Sequence, residues 1–280
     1  MTNLLRRPHA PDTNGCVLQI TPQNAGWQRV GFRVNRLSAG QVASGGDVGR
    51  EACIVVLTGT ADITIETHRF ERIGGRSSVF DDTSPGAVYA PAGMQFKVIA
   101  RDEVELAVCS APGEPGRTPR AIDPNDMPKV VRGKGTNTRY VRNVLPEDRS
   151  ADSLIVVEVI TPGGHWSSYP PHKHDVHNPP GEVDLDEIYY YRMNQTDAFA
   201  FQHLYSGQHA GERTLKTRDG DVVLVRSGFH PVVAGPGYDV YYLNFLAGTS
   251  RALATTEDPH HVWIRSTWKE TDPRLPLVRG

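Results

Sequence analysis

An all-β fold built from two tandem β-barrels is what this sequence predicts, on the strength of two observations. Short segments rich in Val, Ile, Tyr and Phe recur along its 280 residues, separated by clusters of Gly, Pro, Asp and Asn. No long window carries the apolar period of an amphipathic helix. The turn formers are plentiful and spread throughout, with 27 Gly and 21 Pro, as a chain of many tight reversals needs. The length favours two domains of ordinary size over one large core.

In chain order, strands are expected at Cys53–Leu57, Ala61–Glu66, Ala87–Ala90, Phe96–Ala100 and Glu105–Cys109. Their spacing of roughly 8–12 residues is that of a sandwich or barrel. From Ala111 to Val141 the pattern lapses into a Pro-, Gly-, Lys- and Arg-rich stretch that reads as a connection. Strands resume at Ser153–Ile160, Glu187–Arg192, Phe199–Tyr205, Asp221–Val225 and Tyr238–Leu246. The expected division is therefore 1–125 for the first barrel and 126–280 for the second. The tail HHVWIRSTWKETDPRLPL shows neither period and is expected to pack across a barrel surface.

A formal charge of −2 and a pI near 6.6 give no general attraction to nucleic acid or anionic membranes, so neither is an expected partner. Small anionic substrates stay open. Apolar runs such as Ala52–Leu57 fall far short of the ~20 residues that cross a bilayer. Met1 through Arg7 lacks a signal-like apolar stretch, which makes the cytoplasm the default location. Cys16, Cys53 and Cys109 form no CxxC pair and read as reduced, structural thiols.

Histidines are crowded. Nine of the 11 lie beyond residue 160, and His165, His172, His174 and His177 fall within 13 positions. Residues two apart on an extended segment face the same way, so His172 and His174 would aim two imidazoles into one space. A borderline divalent metal accepts imidazole nitrogen and carboxylate oxygen together, and Glu187 opens the next strand, EIYYYR. The block DGDVVLVRSGFHPV then supplies His230 after a turn, an apolar run and a second Gly. An isolated His-x-His is as often a surface or core pair as a ligand pair; Glu187 and His230 tip the balance to a metal site.

His-x-His, then Glu, then a Gly-turn-strand leading to His resembles the cupin superfamily. Two departures stand out: 12 residues separate His174 from Glu187, and the second motif reads Arg226-Ser-Gly-Phe-His. With SYPPHKHD, DEIYYYR, GRSSVFDD, VYAPAG and the WIR…W…DPR ending, the chain resembles the 5-deoxy-glucuronate isomerase family of bacterial myo-inositol catabolism over nearly its full length. In cupin terms both barrels would be jelly rolls. The first would carry Phe96, in PAGMQF, where a ligand histidine belongs, and with only His9 and His68 ahead of residue 140 it is expected to bind no metal.

The resemblance implies conversion of 5-deoxy-D-glucuronate to 5-dehydro-2-deoxy-D-gluconate with one divalent metal per chain as Lewis acid, zinc first, with Mn, Fe, Co and Ni as alternatives. Proton transfer would fall to Glu182, His177, Tyr189 or Tyr191, with Asp186 nearby; the two tyrosines share the inward face of the Glu187 strand, where wall residues outnumber catalysts. The substrate carboxylate would need a cation, and Lys173, Arg192 and Arg226, then Arg213 and Arg218, lie near the motifs. The loop His177–Asp186 is read as a lid or a plain surface excursion. Homo-oligomer formation stays open, given the exposed sheet edges of two barrels. Rival readings are a 5-keto-4-deoxyuronate isomerase of pectin degradation, an iron-dependent cupin dioxygenase, and a non-catalytic sugar-binding bicupin.

Overall fold

Strand periodicity predicts that alternate side chains enter different surroundings, and the computed structural model shows where each set goes. It describes residues 3–207 and 211–268. Six strands form one sheet, in the order Arg120–Ile122, Gly86–Ala90, Arg50–Thr58, Val104–Pro112, Gly31–Leu37, Cys16–Ile20. A four-stranded sheet of Val42–Gly45, Phe96–Ala100, Thr60–Ile65 and His68–Gly74 faces it. Ile54, Val56, Ile63, Val98 and Phe96 fill the space between them.

A seven-stranded sheet follows, in the order Leu5–Arg6, Val222–Val225, Leu185–Met193, Val240–Gly248, Ile155–Thr161, Arg139–Leu145, Lys129–Arg132. Its partner is a four-stranded sheet of Trp166–Ser167, Val232–Ala234, Ala200–Leu204 and Arg213–Thr217. Among the described residues the only α-helix is the single turn Pro22–Ala25, and no helix is long and apolar enough to cross a membrane.

The two large sheets also share a core, which explains strands that are apolar on both faces. Cys53, Val55 and Leu57 point away from Ile54 and Val56 and meet Ile188, Tyr190, Leu243 and Phe245 of the other sheet. Phe32 packs its ring 5.5 Å from Tyr190 and 5.1 Å from Phe245. Each such large side chain contributes roughly 1.5–3 kcal/mol on burial. Polar groups cross the same boundary. The fully buried Glu51 carboxylate accepts the backbone N–H groups of Asp152, Ser153 and Leu154 at 2.7–2.8 Å, and the Tyr89 hydroxyl at 2.6 Å.

Two expectations need correction. The stretch from 111 to 141 is not a bare connection: Arg120–Ile122 extends the first large sheet and Lys129–Arg132 pairs with Arg139–Leu145 at the rim of the second. Edge strands carry Lys and Arg because charge discourages further pairing, and that composition masked them. Leu5–Arg6 pair with the strand Val222–Val225, so this segment joins the second large sheet although it precedes the strands of the first. The three cysteines are free and buried. Of the tail, residues beyond 268 lie outside the described residues, while Val262–Thr267 forms a 3-10 turn.

Candidate metal centre

Three segments bring side chains to the inner face of the seven-stranded sheet. Glu187 sits on the central strand Leu185–Met193, opposite Val225 on one side and Leu246 on the other. Alternation then puts Tyr189 and Tyr191 on its face and Ile188 and Tyr190 in the core between the barrels. His172 lies in a two-residue strand paired with Thr256–Glu257, and His174 is tied to Leu185, whose N–H donates to the His174 carbonyl at 2.9 Å. His230 follows Gly228, whose φ of 83° is left-handed and where a Cβ would meet the Tyr205 carbonyl oxygen at 2.5 Å. Only glycine fits that turn.

His174, Glu187 and His230 converge, with one ligand-type atom of each lying within 4.8 Å of the others, and all three are buried. Glu187 Oε2 stands 2.9 Å from His174 Nε2 and 3.1 Å from His230 Nε2. His172 is beside them, its ring centre 4.9 Å from that of His230 and 6.3 Å from that of His174. The His-x-His pair is thus split, one imidazole inside the tight group and one at its edge.

The donor set suits a cation. His174 Nδ1 donates to the Leu185 carbonyl at 3.1 Å and His230 Nδ1 to the Gly228 carbonyl at 2.9 Å. With Nδ1 committed in this way, each ring turns its Nε2 toward the Glu187 carboxylate. His230 Nε2 is buried and makes no hydrogen bond despite its closeness to Glu187. Burial alone would raise the Glu187 carboxyl, but His230 and His174 outweigh it and hold Glu187 well below the usual carboxylate range. For His174, burial favours the neutral ring and Glu187 more than reverses that, so its value rises. Two imidazole nitrogens and a carboxylate oxygen in this arrangement are donors that a divalent metal ion would fit.

A layer of residues that the motifs did not reveal fixes the ligands. Asn244 donates to Glu187 Oε1 at 2.7 Å and to the Ile188 carbonyl at 3.1 Å, holding the carboxylate's free oxygen. Asp175 accepts the Gly228 N–H at 2.8 Å and so ties the His174 segment to the His230 turn. Gln202 donates to the His230 carbonyl at 3.3 Å and accepts the Tyr191 hydroxyl at 2.8 Å. Replacing Asn244 with Leu is expected to weaken metal binding about 10- to 100-fold, as loss of a ligand's partner typically does. Chelator competition measures it, and unchanged affinity would contradict the role.

His174 and Glu187 line a cleft of about 550 Å³ together with His172, Tyr189, Tyr242, Arg132, Arg139 and Arg265, among others, and His230 is buried next to them. Of the residues expected to move protons, Tyr189 lines the cleft and shares a hydrogen bond with Ser168 Oγ at 3.1 Å. Tyr191 is fully buried behind it. Glu182 is not brought to the cleft: its carboxylate accepts Lys173 Nζ and the N–H groups of Asp175 and Val176, pinning the loop. His177 is exposed and bonds Thr249 at 2.6 Å, and Asp186 accepts the Arg29 N–H in the other half.

The cations expected to hold a carboxylate are likewise elsewhere. Lys173 pairs with Asp175 and Glu182. Arg192 pairs with Glu105 at 2.6 Å across the inter-barrel boundary and with Asp219 at 2.8 Å in its own half. Arg226 donates to the Ala25 carbonyl and lies over the Trp27 ring. Neither Arg213 nor Arg218 is among the cleft-lining residues. In the first barrel, Phe96 is a buried core residue.

Comparison with known proteins agrees with this architecture. The model of the KduI/IolB family matches residues 4–264. A protein of Geobacillus thermodenitrificans named 5-deoxy-glucuronate isomerase is 44% identical over 264 residues, covering 94% of this chain and 96% of that one. The Bacillus subtilis strain 168 protein of the same name is 38% identical over 268 residues, 94% and 99% of the two chains. The crystal structure of an IolB-like protein from Salmonella typhimurium superposes with a TM-score of 0.90 at 41% identity, covering 94% and 99%. A Bacillus subtilis oxalate decarboxylase, a cupin-fold protein, aligns at TM-score 0.63 and 12% identity over 92% and 80%, a likeness of fold alone.

Proposed function

Since the chain belongs to the KduI/IolB family, we propose that it isomerises 5-deoxy-D-glucuronate to 5-dehydro-2-deoxy-D-gluconate, using one divalent metal held by His174, Glu187 and His230 with His172 alongside. The observation that carries the reading is the buried group of His174, Glu187 and His230 beside a cleft large enough for a six-carbon acid. A bound metal would supply Lewis-acid polarisation of the substrate carbonyl. Mixed nitrogen and oxygen donors suit zinc, with manganese, iron, cobalt and nickel as alternatives.

The chain's own residues supply orientation. Asn244 leaves Glu187 one oxygen, Oε2, turned to the histidines. The fixed Nδ1 bonds keep both imidazoles in the tautomer whose Nε2 faces inward. Tyr189 places a hydroxyl on the cleft wall, bonded to Ser168 and able to donate to a substrate oxygen. Tyr191 acts on His230 through Gln202, as a positioning residue.

Assay of the purified, metal-loaded protein on 5-deoxy-D-glucuronate and on 5-keto-4-deoxyuronate tests the substrate. Turnover of the first is expected. Turnover of only the second, or metal-dependent oxygen consumption without isomerisation, would overturn the reading.

A further inference from the structure

The hairpin that joins Lys129–Arg132 to Arg139–Leu145 sets two arginines directly opposite each other, Arg132 against Arg139. Like charges in that position repel. Both line the cleft that holds the triad. Among the described residues neither has a carboxylate within ion-pair distance, and Arg139 makes a single hydrogen bond, from Nη1 to the Asn137 carbonyl at 3.2 Å. The other charged side chains on the cleft wall are engaged. Arg265 is paired with Glu257, and Glu147 accepts the Leu253 N–H at 2.8 Å. Burial lowers the Arg139 guanidinium from its ordinary value, and Arg132 and Arg265 push the same way.

The backbone keeps this arrangement clear. Gly133, at φ 75°, turns the hairpin, and a Cβ there would come within 2.9 Å of Arg139 Nη1. Two guanidiniums on opposed residues, with no carboxylate paired to either among the described residues, form a fork that fits a carboxylate.

Resting on the isomerase reading, we propose that Arg139, with Arg132 opposite, binds the carboxylate of the sugar-acid substrate and thereby sets which end of it meets the triad. Tyr189 and Tyr242 line the same cleft as both arginines. The carboxylate at one end leaves the carbonyl end for His174, Glu187 and His230.

The test compares D-glucuronate with D-glucose, two probes that differ at the carboxylate, binding to metal-loaded wild-type, Arg139→Ala, Arg139→Lys and Arg132→Ala proteins. Wild type should prefer the acid by about 10- to 100-fold, the worth of a charged hydrogen-bonded pair. Arg139→Ala should abolish the preference at unchanged metal content, with Arg139→Lys and Arg132→Ala intermediate. Retained preference in Arg139→Ala, equal binding of both probes by wild type, or loss of metal together with the preference would each overturn the assignment. If wild type fails to isomerise 5-deoxy-D-glucuronate yet Arg139→Ala still loses the preference for D-glucuronate, the isomerase reading falls and the carboxylate subsite stands.

Discussion

His174→Ala and Glu187→Gln proteins are expected to lose their metal and at least about 100-fold in isomerase activity, since partners of ligands alone are commonly worth about 10- to 100-fold. His174→Ala removes one of two inward Nε2 atoms; Glu187→Gln replaces a carboxylate oxygen with a neutral amide and leaves the histidines without the charge they face. Elemental analysis of folded protein decides the matter, with full metal retention in both variants counting against the site. A second readout needs no turnover. Ligands that bind only the native state raise its melting temperature, so a chelator should lower the Tm of wild type and leave the variants unmoved. His172→Ala should retain more metal than His174→Ala, because His172 stands at the edge of the group.

Glu158→Ala should be the most destabilising single change outside the metal site, by about 3–5 kcal/mol. Arg76 and Glu158 are 1% and 2% exposed and form two parallel bonds, Nη2 to Oε2 at 2.9 Å and Nη1 to Oε1 at 3.2 Å. Arg142 and the Tyr241 hydroxyl donate to the same carboxylate, and Arg142 also reaches Asp82 at 2.8 Å. Removing Glu158 strands the Arg76 guanidinium in the boundary between the barrels and leaves Arg142 with Asp82 alone. Chemical denaturation should show the midpoint falling, and a loss under about 1 kcal/mol would mean that water or a rearrangement takes the carboxylate's place. Replacing Arg76 and Glu158 together by Met and Leu should recover part of the loss, because an apolar pair of similar volume carries no stranded charge.

Much of this molecule is legible before any coordinates. The strands at Cys53–Leu57 and Glu187–Arg192 stand out because both of their faces are buried, one in a barrel and one between barrels, so almost every residue is apolar or aromatic. Gly31–Leu37 escapes notice because Arg33, Asn35 and Arg36 interrupt it; their polar ends reach the Ser44 and Asn14 carbonyls and Glu105. That Glu187 and His230 come together with His174 is legible because particular residue types stand at a strand start and a Gly turn. Asn244 and Asp175 are not, since a lone amide or carboxylate inside a strand or loop carries no pattern until the partner segment is placed against it. Arg139 was hidden by the same basic composition that made its hairpin look like a connection, although the Tyr140–Val141 and Val144–Leu145 pairs just beyond it already carry the apolar content of a strand.

The strand Leu185–Met193 belongs to two cores at once, with Glu187 and Tyr189 on its inner side and Ile188 and Tyr190 pressed against Phe32 and its neighbours. A ligand on such a strand is held from behind. The half of the chain whose interior is filled by Phe96 is therefore no idle duplicate: it is the backing plate against which the Glu187 carboxylate is kept still, and cutting it away would bare Tyr190, Leu243 and Phe245 to water and loosen Glu187 with them.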